Sequence, residues 1–165
     1  CLLQGDSPVA ALTNAGNALR QQRPQQSSRP SGASAITASW NGVAVDLAWL
    51  GSCRAWHSDG THIRLVEALA ADKGLKPAAG STPIQALGVT TPDKLSICSA
   101  QLTWRRGHAV LLCSDGVLEE CPEAVSRDVL ADMRISAQEA TEQLLLHILK
   151  GKAANNLTAV LLRKV

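Results

Sequence analysis

Ala109-Val110-Leu111-Leu112-Cys113-Ser114-Asp115-Gly116 is the stretch whose reading decides the fold. Residues 109–113 are a continuous apolar run, the pattern of a strand buried on both faces. The run ends in Ser-Asp-Gly, which sets one carboxylate at the edge of a sheet, where the chain leaves the core. A carboxylate so placed is a natural ligand for a hard cation such as Mg2+ or Mn2+. Equally open at this point is that Asp115 caps the helical turn that follows.

Working outward, residues 95–102 alternate and Arg106-Gly107 turns the chain into the buried run. Further upstream, residues 35–40 meet Asn41-Gly42, a strong hairpin signal, and residues 43–50 return. Residues 54–57, Ser58-Asp59-Gly60 and 61–65 make a second hairpin of the same kind. Helices flank this block. Ser7-Pro8 opens one that runs to about Gln22, with Val9, Leu12, Ala15 and Leu19 at helical spacing. Residues 124–133 and 137–150 read as amphipathic helices, the second capped by Ser136 and closed by Gly151. A short helix over 67–75, a Pro-punctuated loop over 76–92 and a last buried strand over 157–162 complete the reading. Residues 21–31, rich in Gln, Ser, Arg and Pro, cannot bury themselves and are expected to form a mobile polar loop, its Arg23 and Arg29 solvated. Antiparallel hairpins between helices define an α+β class.

The length of 165 residues fits one domain over 1–165 with a core of its own. A net charge of +2 and an aromatic set of four Trp, with no Phe or Tyr, give no case for nucleic acid. No apolar run reaches membrane-spanning length. Five Cys without a C-x-x-C pair argue against a disulfide framework or zinc ribbon, and a reducing, cytoplasmic setting is expected. Cys98 and Cys113 lie in strand-like runs and read as small buried hydrophobes; Cys113 has no Cys-x5-Arg loop. His57, His62, His108 and His147 are scattered, and each reads as a surface or satisfied histidine. Ser34 and Ser114 have no His-Asp partners in sequence, so a serine nucleophile is a poor reading. The tryptophans read mostly as packing residues, and any that is exposed would mark a partner-binding face.

Three segments taken in order, Gly51-Ser52-Cys53-Arg54, Leu111-Leu112-Cys113-Ser114-Asp115-Gly116 and Asn155-Asn156-Leu157-Thr158 before an apolar strand, carry a resemblance. They are similar to the later motifs of the metal-dependent type 2C protein serine/threonine phosphatases (the PPM family): Gly-Asp-Ser-Arg, Leu-Leu-Cys-Ser-Asp-Gly and Asp-Asn-Ile-Thr. Gln85-Ala86-Leu87-Gly88 resembles the family's Arg-Ala-Leu-Gly, and Gly32-Ala33-Ser34-Ala35 sits where the family has Gly-x-Gly-Thr-Thr. The resemblance implies an antiparallel β-sandwich flanked by helices, with metal-bound water attacking a phosphoserine or phosphothreonine between paired cations. It further implies that this chain matches the C-terminal two-thirds of such a domain and lacks its first strands.

Paired divalent cations need a crowd of carboxylates, and here the match erodes. The family's two N-terminal acidic motifs have no counterpart, and its other carboxylates are replaced by Ser52 and Asn155. Asp115 is the one metal carboxylate that maps; Asn155 and Ser52 are weak neutral donors beside it, with Gly51, Arg54, Ser114, Gly116 and Asn156 neighbouring the site. For Arg54, a salt bridge inside the fold weighs as much as a site role. The expectation is a pseudophosphatase: a regulatory or binding module for a protein partner or phosphoprotein, with Mg2+ or Mn2+ its only conceivable cofactor. The alternative is an active phosphatase whose N-terminal metal motifs lie outside this chain. A second chain that completes the sheet is a further option, since open edges attract strands.

Overall fold

The computed structural model describes residues 5–22, 32–68, 85–121, 123–151 and 155–165. In chain order its elements are α1 (Pro8–Gln21), β1 (Ala35–Trp40), β2 (Ala44–Leu50), β3 (Arg54–Ser58), β4 (Ile63–Leu65), a 3-10 turn (Pro92–Lys94), β5 (Cys98–Thr103), β6 (Ala109–Cys113), α2 (Asp115–Glu120), α3 (Glu123–Ala131), α4 (Ala137–Lys150) and β7 (Ala159–Arg163). The class is α+β with antiparallel sheets, as the sequence predicts. Most of the 21–31 loop and of the helix expected over 67–75 lies outside the described residues. The chain groups into two compact units, Cys1–Ser52 with Glu67–Leu102, and Cys53–Val66 with Thr103–Val165.

In the first unit α1 starts where Ser7 and Pro8 place it. Ser7 is extended, and its Oγ accepts the Ala10 N–H at 3.2 Å. Pro8 gives up an N–H that has no helical partner in any case. The helix buries Leu12 in a cluster with Ala48, Leu50 and Leu87. The strand order here is β1-β2-β5, and Asp46 of β2 accepts a 2.7 Å bond from Gln101 Nε2 of β5.

The two hairpins share one turn chemistry, and it corrects the expected placement of the first. Asn41-Gly42 does not form the tip. Trp40 pairs with Val45, Asn41 N–H donates to Ala44 O at 3.2 Å, and Gly42-Val43 sit at the tip. Asn41 Oδ1 accepts from Val43 N and Ala44 N, and Gly42 takes φ +92°. The β3–β4 turn repeats the plan. Asp59 Oδ1 accepts from Thr61 N at 2.9 Å and His62 N at 2.7 Å, and Gly60 takes φ +91°. In both turns an Asx side chain satisfies the far N–H groups and glycine supplies the positive φ at the first tip position.

In the second unit the sheet order is β4-β3-β6-β7, antiparallel throughout. β6 is buried along its whole length, as the apolar run predicts. Its Leu111 packs in one core with Val117, Leu130, Ala140, Leu144 and Ile148. Each of the Leu, Val and Ile side chains among them contributes about 1.5–3 kcal/mol on burial. The α4 boundaries match the sequence reading: Ser136 Oγ accepts from Glu139 N at 3.1 Å, and Gly151 donates to Ile148 O at 2.9 Å. The helix expected over 124–133 stops earlier, at Ala131, because Asp132 Oδ1 takes Arg134 N at 3.0 Å and turns the chain. The strand expected from Leu157 begins at Ala159. Arg163 of β7 anchors that corner, with Nη1 on Ile135 O at 2.6 Å and Nη2 on Val129 O at 2.7 Å.

Candidate functional site at the Ser-Asp-Gly turn

Pairing register carries three of the sequence segments to one end of the second unit's sheet. Arg54 opposes Cys113 across β3–β6, and Cys113 opposes Ala159 across β6–β7. Arg54, Ser114-Asp115-Gly116 and Asn155-Asn156 therefore gather where β6 runs out. Ser114 ties two of them together. Its N–H donates to Thr158 O at 3.0 Å, its Oγ donates to Asn156 O at 3.3 Å, and Thr158 N donates back to that Oγ at 3.1 Å. Gly116 closes the contact from the other side. A Cβ there would lie 2.6 Å from Asn156 O and 2.9 Å from Asn155 Cβ, so the 155–157 segment rests directly on the glycine.

Asp115 is exposed and is the first residue of α2, with Ser114 in the capping position. Its Oδ1 accepts the N–H of the next residue, Gly116, at 3.0 Å, and the residue is exposed. Asn155 is engaged. Its Nδ2 donates to Glu119 Oε2 at 3.2 Å and its N–H to Glu120 Oε1 at 2.9 Å, both from α2. Sequence reading missed those two glutamates and the helix that carries them. Glu119 stands four residues after Asp115, on the same face of a helix too short to show as a pattern in the sequence.

Ser52 belongs to the first unit and is held there by Ser34, with Oγ···Oγ at 3.1 Å and Ser52 N donating to Ser34 Oγ at 3.2 Å. Gly51 before it, at φ +81°, leaves no room for a Cβ, which would collide with Ser34 Oγ. Arg54 Nη1 donates to the Cys53 carbonyl at 2.7 Å. Burial pushes the Cys53 thiol up, with the Asp115 charge adding to the shift and Arg54 opposing it. Cys113 is pushed up to about 12 by burial, with Cys53 and Cys121 beside it. It is a neutral core thiol, as its sequence context predicts. Cys98 departs from that reading, since it is only half-buried.

The donor set does not fit paired divalent cations. Among the described residues no three His, Cys, Asp or Glu side chains are grouped to hold a metal ion. Asp115 offers one carboxylate, Asn155 turns its amide nitrogen to Glu119, and the Ser52 hydroxyl bonds to Ser34. Asp115, Asn155 and Ser52 together carry one negative charge, too little to balance two dications.

No protein-family model matches the sequence, and no curated protein matches it either. Solved structures do match the fold. PppA of Pseudomonas aeruginosa, described as a key regulatory component of T6SS, aligns at TM-score 0.75 and 22% identity over 95% of this chain and 68% of that one. The catalytic domain of the serine/threonine protein phosphatase PstP, in complex with two manganese ions, aligns at 0.71 and 20% over 95% and 71%. Stp1 of Staphylococcus aureus, a serine/threonine phosphatase, aligns at 0.69 and 16% over 92% and 64%. The chain thus has the fold of the type 2C serine/threonine phosphatases and spans about two thirds of the length of these structures.

Proposed function

We propose that this chain is a degenerate type 2C phosphatase domain that binds and regulates without hydrolysing. The observation that supports it is Asn155, whose side-chain amide stands where the resemblance calls for a metal carboxylate and is taken up by Glu119. A donor N–H pointed at a glutamate is the opposite of what a dication requires. The partner is a protein or phosphoprotein, met in the cytoplasm, and not a nucleic acid or a membrane. Trp40, 63% exposed, and Val43, 71% exposed, offer an apolar tip on the first hairpin for such a contact. Among the described residues β7 ends its sheet, and the Ser114–Thr158 and His108–Lys164 bonds set the backbone of Ala159, Leu161 and Arg163 away from β6. That edge is where a further strand, from this polypeptide or a second one, would add.

The second reading is an active phosphatase whose remaining carboxylates lie outside these residues. In its favour are the exposed Asp115 and the roughly one third of PppA and PstP that this chain does not span. Hydrolysis of a phosphothreonine peptide in millimolar Mn2+, by the native chain and by the Ser52→Asp/Asn155→Asp variant, separates the two. A silent native chain and an active variant are expected. Activity in the native chain would sink the first reading, and silence in both would turn attention to donors beyond these residues.

A further inference from the structure

Away from the Ser-Asp-Gly turn, the second unit encloses a pair of histidines. His57, in β3, is 4% exposed, and His108, just before β6, is 8% exposed. His57 Nε2 lies 3.4 Å from His108 Nδ1, and that Nδ1 lies 2.9 Å from Thr103 O. A carbonyl oxygen can only accept, so His108 Nδ1 carries its one hydrogen and has no lone pair to offer; that hydrogen goes first to Thr103 O at 2.9 Å and is shared, more weakly, with His57 Nε2, the bare nitrogen 3.4 Å away. The proton arrangement of the neutral pair is therefore fixed by one backbone carbonyl. Trp104, also buried, meets the His108 ring edge-on at 6.4 Å. The stretch from Thr103 to His108 joins β5 to β6, and its other anchors are Gly107 N to Lys164 O at 2.8 Å and Lys164 N to His108 O at 3.0 Å.

We propose that the His57–His108 pair is an acid-released latch, which ties the β5–β6 connection to β3 while neutral and frees it when His57 takes a proton. Protonated His57 would turn an N–H toward the His108 N–H at the present 3.4 Å separation, with no acceptor between them. Around His57, burial opposes the charge first, then His108 and then Arg64 of β4, while Asp59 of the β3–β4 turn favours it. Together they hold His57 below its ordinary value of 6.5. The sign follows. Above 6.5 both folded and unfolded chains carry neutral His57 and stability is full. As pH falls below 6.5 the unfolded chain takes up the proton first, and stability is lost until the folded His57 titrates too. The released segment leads straight into β6, the strand that ends at Ser114-Asp115.

Amide exchange of the 103–110 segment, corrected for intrinsic rate, tests this at about pH 7.5 and about pH 5.5 for the native chain and His57→Gln. Gln keeps an acceptor for His108 Nδ1 and does not titrate. The native segment is expected to exchange at least about threefold faster at the lower pH, with the rise absent in the variant. An equal rise in both would overturn the latch. If the variant fails to fold, histidine ring NMR of the native chain decides. A His57 that titrates at or above 6.5, or that carries its hydrogen on Nε2 at neutral pH, refutes the proposal. An Nε2 that is bare at neutral pH and takes up its proton only below 6.5 upholds it.

Discussion

Gly116→Ala sets two effects of opposite sign against each other inside α2. Helix propensity alone favours alanine over an interior glycine by about 1 kcal/mol. Crowding opposes it, because the new methyl would lie 2.6 Å from Asn156 O, 2.9 Å from Asn155 Cβ and 3.3 Å from Leu157 Cδ2. The first of these is backbone, and it cannot simply rotate away. Moving it strains the bond from Ser114 Oγ to Asn156 O and the one from Thr158 N to Ser114 Oγ, each worth about 1 kcal/mol. Overpacking against a fixed neighbour typically costs about 1–3 kcal/mol. The balance is a net loss of about 1–2 kcal/mol, roughly a tenfold fall in the folding constant. Urea unfolding of the two chains reads this directly, and the Asn155 side-chain amide in a nitrogen-correlated spectrum should shift as the segment yields. A variant more stable than the parent would refute the claim that residues 155–157 rest on this glycine.

Restoring acid at the two eroded positions should not be symmetrical. Ser52→Asp meets the Ser34 hydroxyl, a donor 3.1 Å away, and melts should show little loss; Asn155→Asp faces Glu119 and Glu120 and should lose about 1 kcal/mol without metal, recovered in part by Glu119→Gln. Leu144→Ala, at a position with no exposed surface, should cost about 2–5 kcal/mol in the same unfolding assay. Cys113 should resist a thiol reagent in the native chain and label only on unfolding. Its thiol is raised from 9.0 to about 12, so the unfolded chain ionises first, and the urea midpoint should fall as pH climbs past 9.0.

Much of the fold was legible because single residue types forced local outcomes. Ser7-Pro8 and Ser136 could start helices in few other ways, and the apolar 109–113 run could only be a strand with both faces covered. The first hairpin was found but its tip was misplaced by one residue. The Asn41 side chain gained more by accepting two N–H bonds from outside the tip than by occupying it. At the site, strand register sets Cys113 opposite Ala159 and the 155–157 segment against Gly116. What could not be read was who holds Asn155. Glu119 and Glu120 lie on a one-and-a-half-turn helix too short to announce itself by periodicity, and their contact spans 36 and 35 residues. Likewise, His57 and His108 are 51 residues apart, and nothing local told of their meeting.

The eroded positions differ in what their replacement residues do. Ser52 forms a bond that an aspartate could form equally well, because Ser34 can donate to a carboxylate. Its presence is thus compatible with a site that lost a charge and kept its geometry. Asn155 is different: its side-chain nitrogen donates to Glu119, which would repel an acid in its place, while the backbone N–H that donates to Glu120 would survive the exchange. A helix that carries two glutamates toward that position is fitted to a neutral donor there. A dication could reverse the preference, for an aspartate in place of Asn155, together with Asp115 and Glu119, would make three carboxylates around one corner of the sheet. The stability of Asn155→Asp in Mn2+ against chelator therefore separates the two readings without any substrate. Gain in Mn2+ would mean that the corner can still become a metal site once charge returns. No gain would mean that the hydrogen bonds of Asn155 have taken over the role a cation would have had in joining α2 to the start of β7.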